Sequence, residues 1–146
     1  MIDALTTAEQ VQQIFDPHKS FSHLEGNQMV FCLAPGEKFP YYIDLRIQVE
    51  QKYLEFIAIA ILQLDKDSRP MILNRMNEWK LKYPGFLLPF LSDYGEVYIR
   101  KMVLFDAPVS EEFLVEGHIK PIIEDIRFFY HDFFTPEVQS AILKQQ

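Results

Sequence analysis

A chain of 146 residues with 49% apolar content, 13 Phe, 7 Tyr and 1 Trp has ample material for one hydrophobic core and is not a disordered polypeptide. Its formal net charge of −7 argues against binding nucleic acid or an anionic membrane surface, since both require clustered Lys and Arg. Cys32 is the only cysteine, which excludes an intrachain disulfide and a thiolate metal cluster.

In chain order, Thr6-Thr7-Ala8-Glu9-Gln10 carries two overlapping capping boxes, Thr6 with Glu9 and Thr7 with Gln10, which start a helix. Val11, Ile14 and Phe15 form its apolar stripe, and Asp16-Pro17 ends it because a residue before proline is driven out of the α region. After a loop at Glu25-Gly26-Asn27, the run Met29 to Leu33 reads as a strand closed by Pro35-Gly36. Tyr41, Ile43, Leu45, Ile47 and Val49 then alternate with Tyr42, Asp44, Arg46, Gln48 and Glu50, the pattern of a half-buried strand with a wet face. Glu50-Gln51-Lys52 turns into Tyr53 to Leu62, apolar on both faces beyond Glu55. Its β-branched content marks it as a strand, one that belongs at the middle of a sheet covered on both sides or at an interface.

Asp67-Ser68-Arg69-Pro70 starts a second helix with Ser68 or Asp67 as cap. Ile72, Leu73, Met76 and Trp79 supply its stripe, and Tyr83-Pro84-Gly85 stops it. Phe86 to Leu91 and Glu96 to Phe105 form a hairpin around Ser92-Asp93-Tyr94-Gly95, and Pro89 demotes its first strand to an edge or marks a bulge. Ser110-Glu111-Glu112 opens a long helix whose stripe runs from Phe113 and Leu114 to Ile126 and Phe129 or Tyr130. Pro121 inside it predicts a kink or break near Gly117-His118. Thr135-Pro136-Glu137 caps a short last helix.

Little in this pattern carries chemistry. His18, His23, His118 and His131 are scattered without metal-ligand spacing. Asp65-Lys66-Asp67 begins like a calcium loop, but its sixth position is Pro70 and its twelfth Met76, so it reads as a helix cap. Cys32, in an apolar strand, reads as a buried structural thiol. The glycines stand singly and build no phosphate cradle. Asp44, Arg46, Gln48 and Glu50 read as a solvated sheet face rather than an acid–base pair. The first residues, Met1 to Leu5, have no basic region before an apolar core, and the longest apolar run, Phe56 to Leu62, is far short of the roughly 20 residues that span a bilayer. A cytoplasmic location is the expectation.

One feature exceeds what a plain core needs. Both faces of Leu54 to Leu62, much of Phe86 to Leu91, and the cluster Phe128-Phe129-Tyr130 with Phe133-Phe134 offer more apolar surface than the helices obviously cover. The surplus is core, a symmetric homodimer interface, or a groove for a client segment.

The middle-helix run Ile72-Leu73-Asn74-Arg75-Met76-Asn77-Glu78-Trp79, the strands Phe86-Leu87-Leu88 and Glu96-Val97-Tyr98-Ile99-Arg100, and the acidic helix start at Ser110 resemble the YbjN family of bacterial sensory-regulator-like domains. The element order over nearly the whole chain is also similar to that of type III secretion chaperones. The resemblance implies a sheet flanked by helices, frequent homodimerisation, and neither enzyme activity nor cofactor; the chaperone relatives bind extended client segments along helix and sheet surfaces. It places Asn74 and Asn77 in the family's middle-helix pattern with a structural role. The aromatic carboxy terminus, Pro84 and Pro89 depart from that pattern.

The sequence is therefore read as a single α+β domain over 1–146, with an antiparallel sheet of about five strands flanked by helices in the order α-β-β-β-α-β-β-α, type III secretion chaperone-like. Its expected role is non-enzymatic: a cytoplasmic, homodimeric chaperone-like or regulatory module, without cofactor, metal, nucleic acid or membrane. It would bind a partner protein through Phe128, Phe129, Phe133 and Phe134, with Tyr42 and Arg46 on the wet strand face. The alternative is a small-molecule-binding or enzymatic domain with a pocket between sheet and helices, lined by Asp44, Arg46, Tyr98 and Arg100. A third reading is a structural subunit of a larger complex.

Overall fold

Alternation of apolar and polar residues fixes which side of each strand meets the helices, and three long strands obey it. The computed structural model describes residues 7–85, 87–105 and 108–143. Strands β1 (His23–Glu25), β2 (Gln28–Leu33), β3 (Ile43–Glu50) and β4 (Tyr53–Ala60) precede the helix Arg69–Lys82, and β5 (Leu88–Leu91) and β6 (Val97–Leu104) follow it. All neighbours pair antiparallel in one six-stranded sheet, ordered β1-β2-β3-β4-β6-β5. The inner face, buried under helices, is built by Met29, Phe31 and Leu33, by Ile43 to Val49 in steps of two, by Leu54, Phe56, Ala58 and Ala60, and by Val97 and Ile99.

The expected sheet differs in one strand and one surface. β1 is three residues long and wholly exposed, so it leaves no burial pattern to read. It exists because Gly26, at φ +57°, makes a two-residue turn between Glu25 and Gln28. Asn27 secures that turn: its side-chain carbonyl accepts from Ala8 N–H at 2.8 Å and its amide donates to the Val49 carbonyl. β4 does lie in mid-sheet, but helices cover only one of its faces; Leu54, Phe56, Ala58 and Ala60 are buried while Ile57 and Ile59 are partly exposed.

Helix α1 (Ala8–Phe15) starts at the Thr7–Gln10 capping box and ends at Asp16; the second box rested on Thr6, which lies outside the described residues. Asp16 is buried and accepts from the N–H groups of Ser20, Phe21 and Ser22 and from the Ser22 hydroxyl at 2.6 Å. Helix α2 (Arg69–Lys82) has Ser68 as cap, preceded by a 3₁₀ turn (Lys66–Ser68) that the Asp65 carboxylate caps by accepting from Asp67 N–H. The β5–β6 hairpin is the one expected, except that the described first strand begins at Leu88, and Phe86 lies outside the described residues. Pro89 sits on the edge strand opposite Ile99. The edge position suits it, because its missing donor then costs no ladder bond.

The last helical stretch deforms where Pro121 requires it. Helix α3 (Glu111–Leu114) passes into a π segment (Val115–Ile119), in which Lys120 N–H reaches back five residues to Val115, and then into α4 (Lys120–Phe133). Proline has no N–H to return to Gly117, and the wider turn absorbs the loss. A short helix α5 (Pro136–Gln139) follows the Thr135 cap, and Leu143 N–H joins Gln63 at 2.8 Å to tie down the end.

Candidate functional site: the open sheet face

Because side chains alternate across a strand, each buried residue of β3, β4 and β6 is flanked by two that point away from the helices. The strand register lines these up in rows. One row is His23, Val30, Arg46, Ile57, Arg100 and Leu88; the next is Cys32, Asp44, Ile59, Tyr98 and Phe90. Gln28, Gln48, Glu55 and Met102 form a third. The face is divided in character. Over β1 to β3 it is polar and charged around a single buried Val30, whereas over β4 to β6 it carries Ile57, Ile59, Phe90 and Tyr98 with exposed Leu88, Met102 and Leu104, the last 67% accessible.

The charges on this face are held by one another. Arg46 donates to Glu25 at 2.5 Å and to Asp44 at 3.2 Å, and Arg100 donates through Nε to Glu55 at 2.9 Å. Hydrogen bonding from Arg46, reinforced by its charge, holds the Glu25 carboxyl below the usual carboxylate value. Burial raises the Tyr98 hydroxyl pKa, and Glu96 beside it adds to the rise. Phe90 stacks on Tyr98 with ring centroids 4.9 Å apart. Ile57 thus sits between two arginines whose charges are already matched. An apolar centre rimmed by fixed polar groups is the surface composition of a protein interface core.

The residues expected to bind a partner do not form one site. Phe129, Phe133 and Phe134 are core, at 3% exposure or less, and this corrects their assignment as anchors. Phe129 packs edge-on against Trp79 at 4.7 Å and stacks on Phe133 at 5.1 Å, while Phe134 meets Phe39 at 4.9 Å. Helical phase puts them there: positions 122, 126, 129 and 133 lie on one side of α4. Phe128 is out of phase and 39% exposed. It lies on the helix side of the sheet, in a cleft with Phe39, Tyr41 and Arg127. Tyr42, 55% exposed, precedes Ile43 and shares the open face with Arg46.

Two further expectations need correcting. Cys32 is exposed rather than buried, because its β2 position points to the outer face. Asp44, Arg46, Tyr98 and Arg100 lie on the face away from the helices and do not together line a pocket between sheet and helices; Arg100 alone of the four borders a cleft that Lys80 and Tyr83 at the end of α2 also line. Asn74 and Asn77 lie on the exposed side of α2. The apolar half of the open face escaped residue-level assignment, although the two-sided run Leu54 to Leu62 was its signal.

No family model and no curated protein matches the sequence. Among solved structures, the chain is similar to the crystal structure of YbjN from E. coli, a candidate transcription regulator, with a TM-score of 0.67 over 93% of this chain and 95% of that one. Identity is 10%, so the likeness concerns the fold: this is a YbjN-like α+β architecture. Among the described residues no helix is long and apolar enough to cross a membrane.

Proposed function

We propose that this protein is a non-enzymatic interaction module, regulatory or chaperone-like, that docks a partner protein on the open face of its sheet. The observation that supports this most directly is the uncovered apolar half of that face, Ile57, Ile59, Phe90 and Tyr98 framed by Leu88, Met102 and Leu104. All six strands together, of 3, 6, 8, 8, 4 and 8 residues, at roughly 3.3 Å per residue and side by side at about 4.8 Å, give a whole open face on the order of 600 Å², of which the apolar strands supply about half. The whole face approaches the ~800 Å² each partner contributes to a stable protein interface. Each fully buried aliphatic anchor contributes about 1.5–3 kcal/mol, so a few anchors suffice for a micromolar complex after association costs are met.

The acidic chain and the matched arginines favour protein over nucleic acid as the partner. The description of YbjN as a candidate transcription regulator agrees with a regulatory role exerted through protein contacts. In this reading Tyr42 and Arg46 form the polar rim, the protein acts in the cytoplasm, and a second copy of the chain competes with a client for the same face. The test is a photo-crosslinking residue placed at Ile59 and, separately, at exposed Leu81 on α2. Adducts formed in cells at Ile59 and not at Leu81 support the reading, with adduct mass distinguishing a homodimer from a heterologous partner; equal labelling at both positions overturns it.

A further inference from the structure

The loop between β2 and β3 does not lie flat on the domain. It stands beside α4 and leaves a cleft of about 500 Å³ on the helix side of the sheet, opposite to the open face. Its size falls in the roughly 300–1,000 Å³ range of small-molecule sites. Aromatic rings contributed by two separate elements line it: Phe39 and Tyr41 from the loop and Phe128 from the helix. Phe39 is buried and fixed, stacked on Tyr130 at 5.2 Å and set against Tyr41 at 5.4 Å. The charged groups around these rings are Lys38 and Arg127, against one carboxylate, Glu37. On a chain of net charge −7, a basic rim is a local reversal of sign. Arg127 also closes the cleft, donating to the Ala34 carbonyl at 3.2 Å, which holds the loop against the helix.

We propose that this cleft binds a small aromatic carboxylate, its ring packed among Phe39, Tyr41 and Phe128 and its carboxylate facing Lys38 and Arg127. Flat rings meet aromatic walls in the offset and edge-to-face arrangements those walls favour. A carboxylate gains charge-assisted hydrogen bonds from guanidinium and ammonium that an uncharged analogue of equal shape lacks. The site stands apart from the partner-docking face, so neither proposal depends on the other.

The probe is 2-naphthoate, compared by calorimetry and by amide chemical shifts with 2-naphthylmethanol, which has the same ring without the charge, and with hexanoate, which has the charge without the ring. The expected result is that naphthoate binds about tenfold tighter than either control and perturbs amides in residues 34–43 and 127–131. Lys38→Gln should weaken naphthoate several-fold towards the affinity of the alcohol and leave the alcohol unchanged, while Phe128→Ala should weaken both. Both positions are accessible to solvent, and a cooperative melt within about 4 °C of the parent confirms that each variant folds. Equal affinity for naphthoate and its alcohol, shifts centred elsewhere, or no binding at millimolar concentration each overturns the proposal.

Discussion

The Tyr130 hydroxyl lies 2.8 Å from the carbonyl oxygen of Val97, at the point where the β4–β6 ladder has just ended at the Ile59–Tyr98 pair. The fully buried tyrosine therefore supplies a donor that a neighbouring strand no longer provides, and it fastens α4 to the sheet. Tyr130→Phe keeps the ring and leaves that carbonyl without this donor. Leaving a buried polar group unsatisfied costs about 1–3 kcal/mol, so the urea midpoint should fall while the slope of the transition stays constant.

Gly95 presents a stricter constraint. It holds φ +80°, its carbonyl accepts from Leu64 N–H at 2.8 Å, and a Cβ added there would lie 2.4 Å from the Leu64 carbonyl oxygen. Gly95→Ala must move backbone against backbone as well as occupy a left-handed conformation. A loss of roughly 2–4 kcal/mol is expected, measurable as a lower melting temperature; a neutral result would mean that the 63–65 segment does not dock on the hairpin turn.

The two phenylalanine classes separate cleanly by substitution. Phe129→Ala removes a ring packed between Trp79 and Phe133 and should cost about 3–5 kcal/mol, whereas Phe128→Ala, on the exposed side, should cost under about 1 kcal/mol. Comparable losses at both would contradict the orientation of α4.

Acid should weaken the α1–β1 connection through Asp16. Burial raises the pKa of this carboxyl, but the Ser22 hydroxyl and the N–H groups of Ser20, Phe21 and Ser22 outweigh it and hold the group below its ordinary 3.8. A depressed folded-state pKa means stability that is fully present above pH 3.8 and is lost as pH falls through the folded value. Asp16→Asn should be less stable than the parent at pH 7, with the gap narrowing below the ordinary value. A gap independent of pH would show that the charge is not what the four donors recognise.

Ile57→Lys provides the matching experiment on the open face. Ile57 is partly exposed and touches Arg46 and Arg100 across the register, so the change should alter stability by less than about 1 kcal/mol while abolishing partner-derived cross-links at Ile59. A folded variant that still cross-links there would remove the apolar half of the face from the interface.

Much of the architecture was legible because local chemistry and tertiary demand agree. The Thr7–Gln10 box, the alternation from Tyr41 to Val49 and the distortion upstream of Pro121 each follow from one physical rule, and each is found. β1 was not legible because three exposed residues carry no periodicity, and its existence depends on the Gly26-Asn27 turn and on long-range bonds to Ala8 and Val49. The site was only half legible. Periodicity states that Ile57 and Ile59 face opposite Phe56 and Ala58, but nothing local states that no helix arrives to cover them. Phe129 and Phe133 were misplaced despite a spacing that already put them in phase with Ile122 and Ile126; composition outweighed phase.

The one-sided placement of the helices gives the two halves of each central strand separate histories. Residues such as Leu45, Phe56 and Ile99 answer to the fold and cannot drift without repacking neighbours. Arg46, Ile57 and Arg100, one position along, point to the other face and are held by neighbours on that face rather than by the interior. If the open face docks a partner as proposed, a lineage carrying this domain can exchange one companion for another by substitutions confined to alternate positions of three strands, with the same interior throughout.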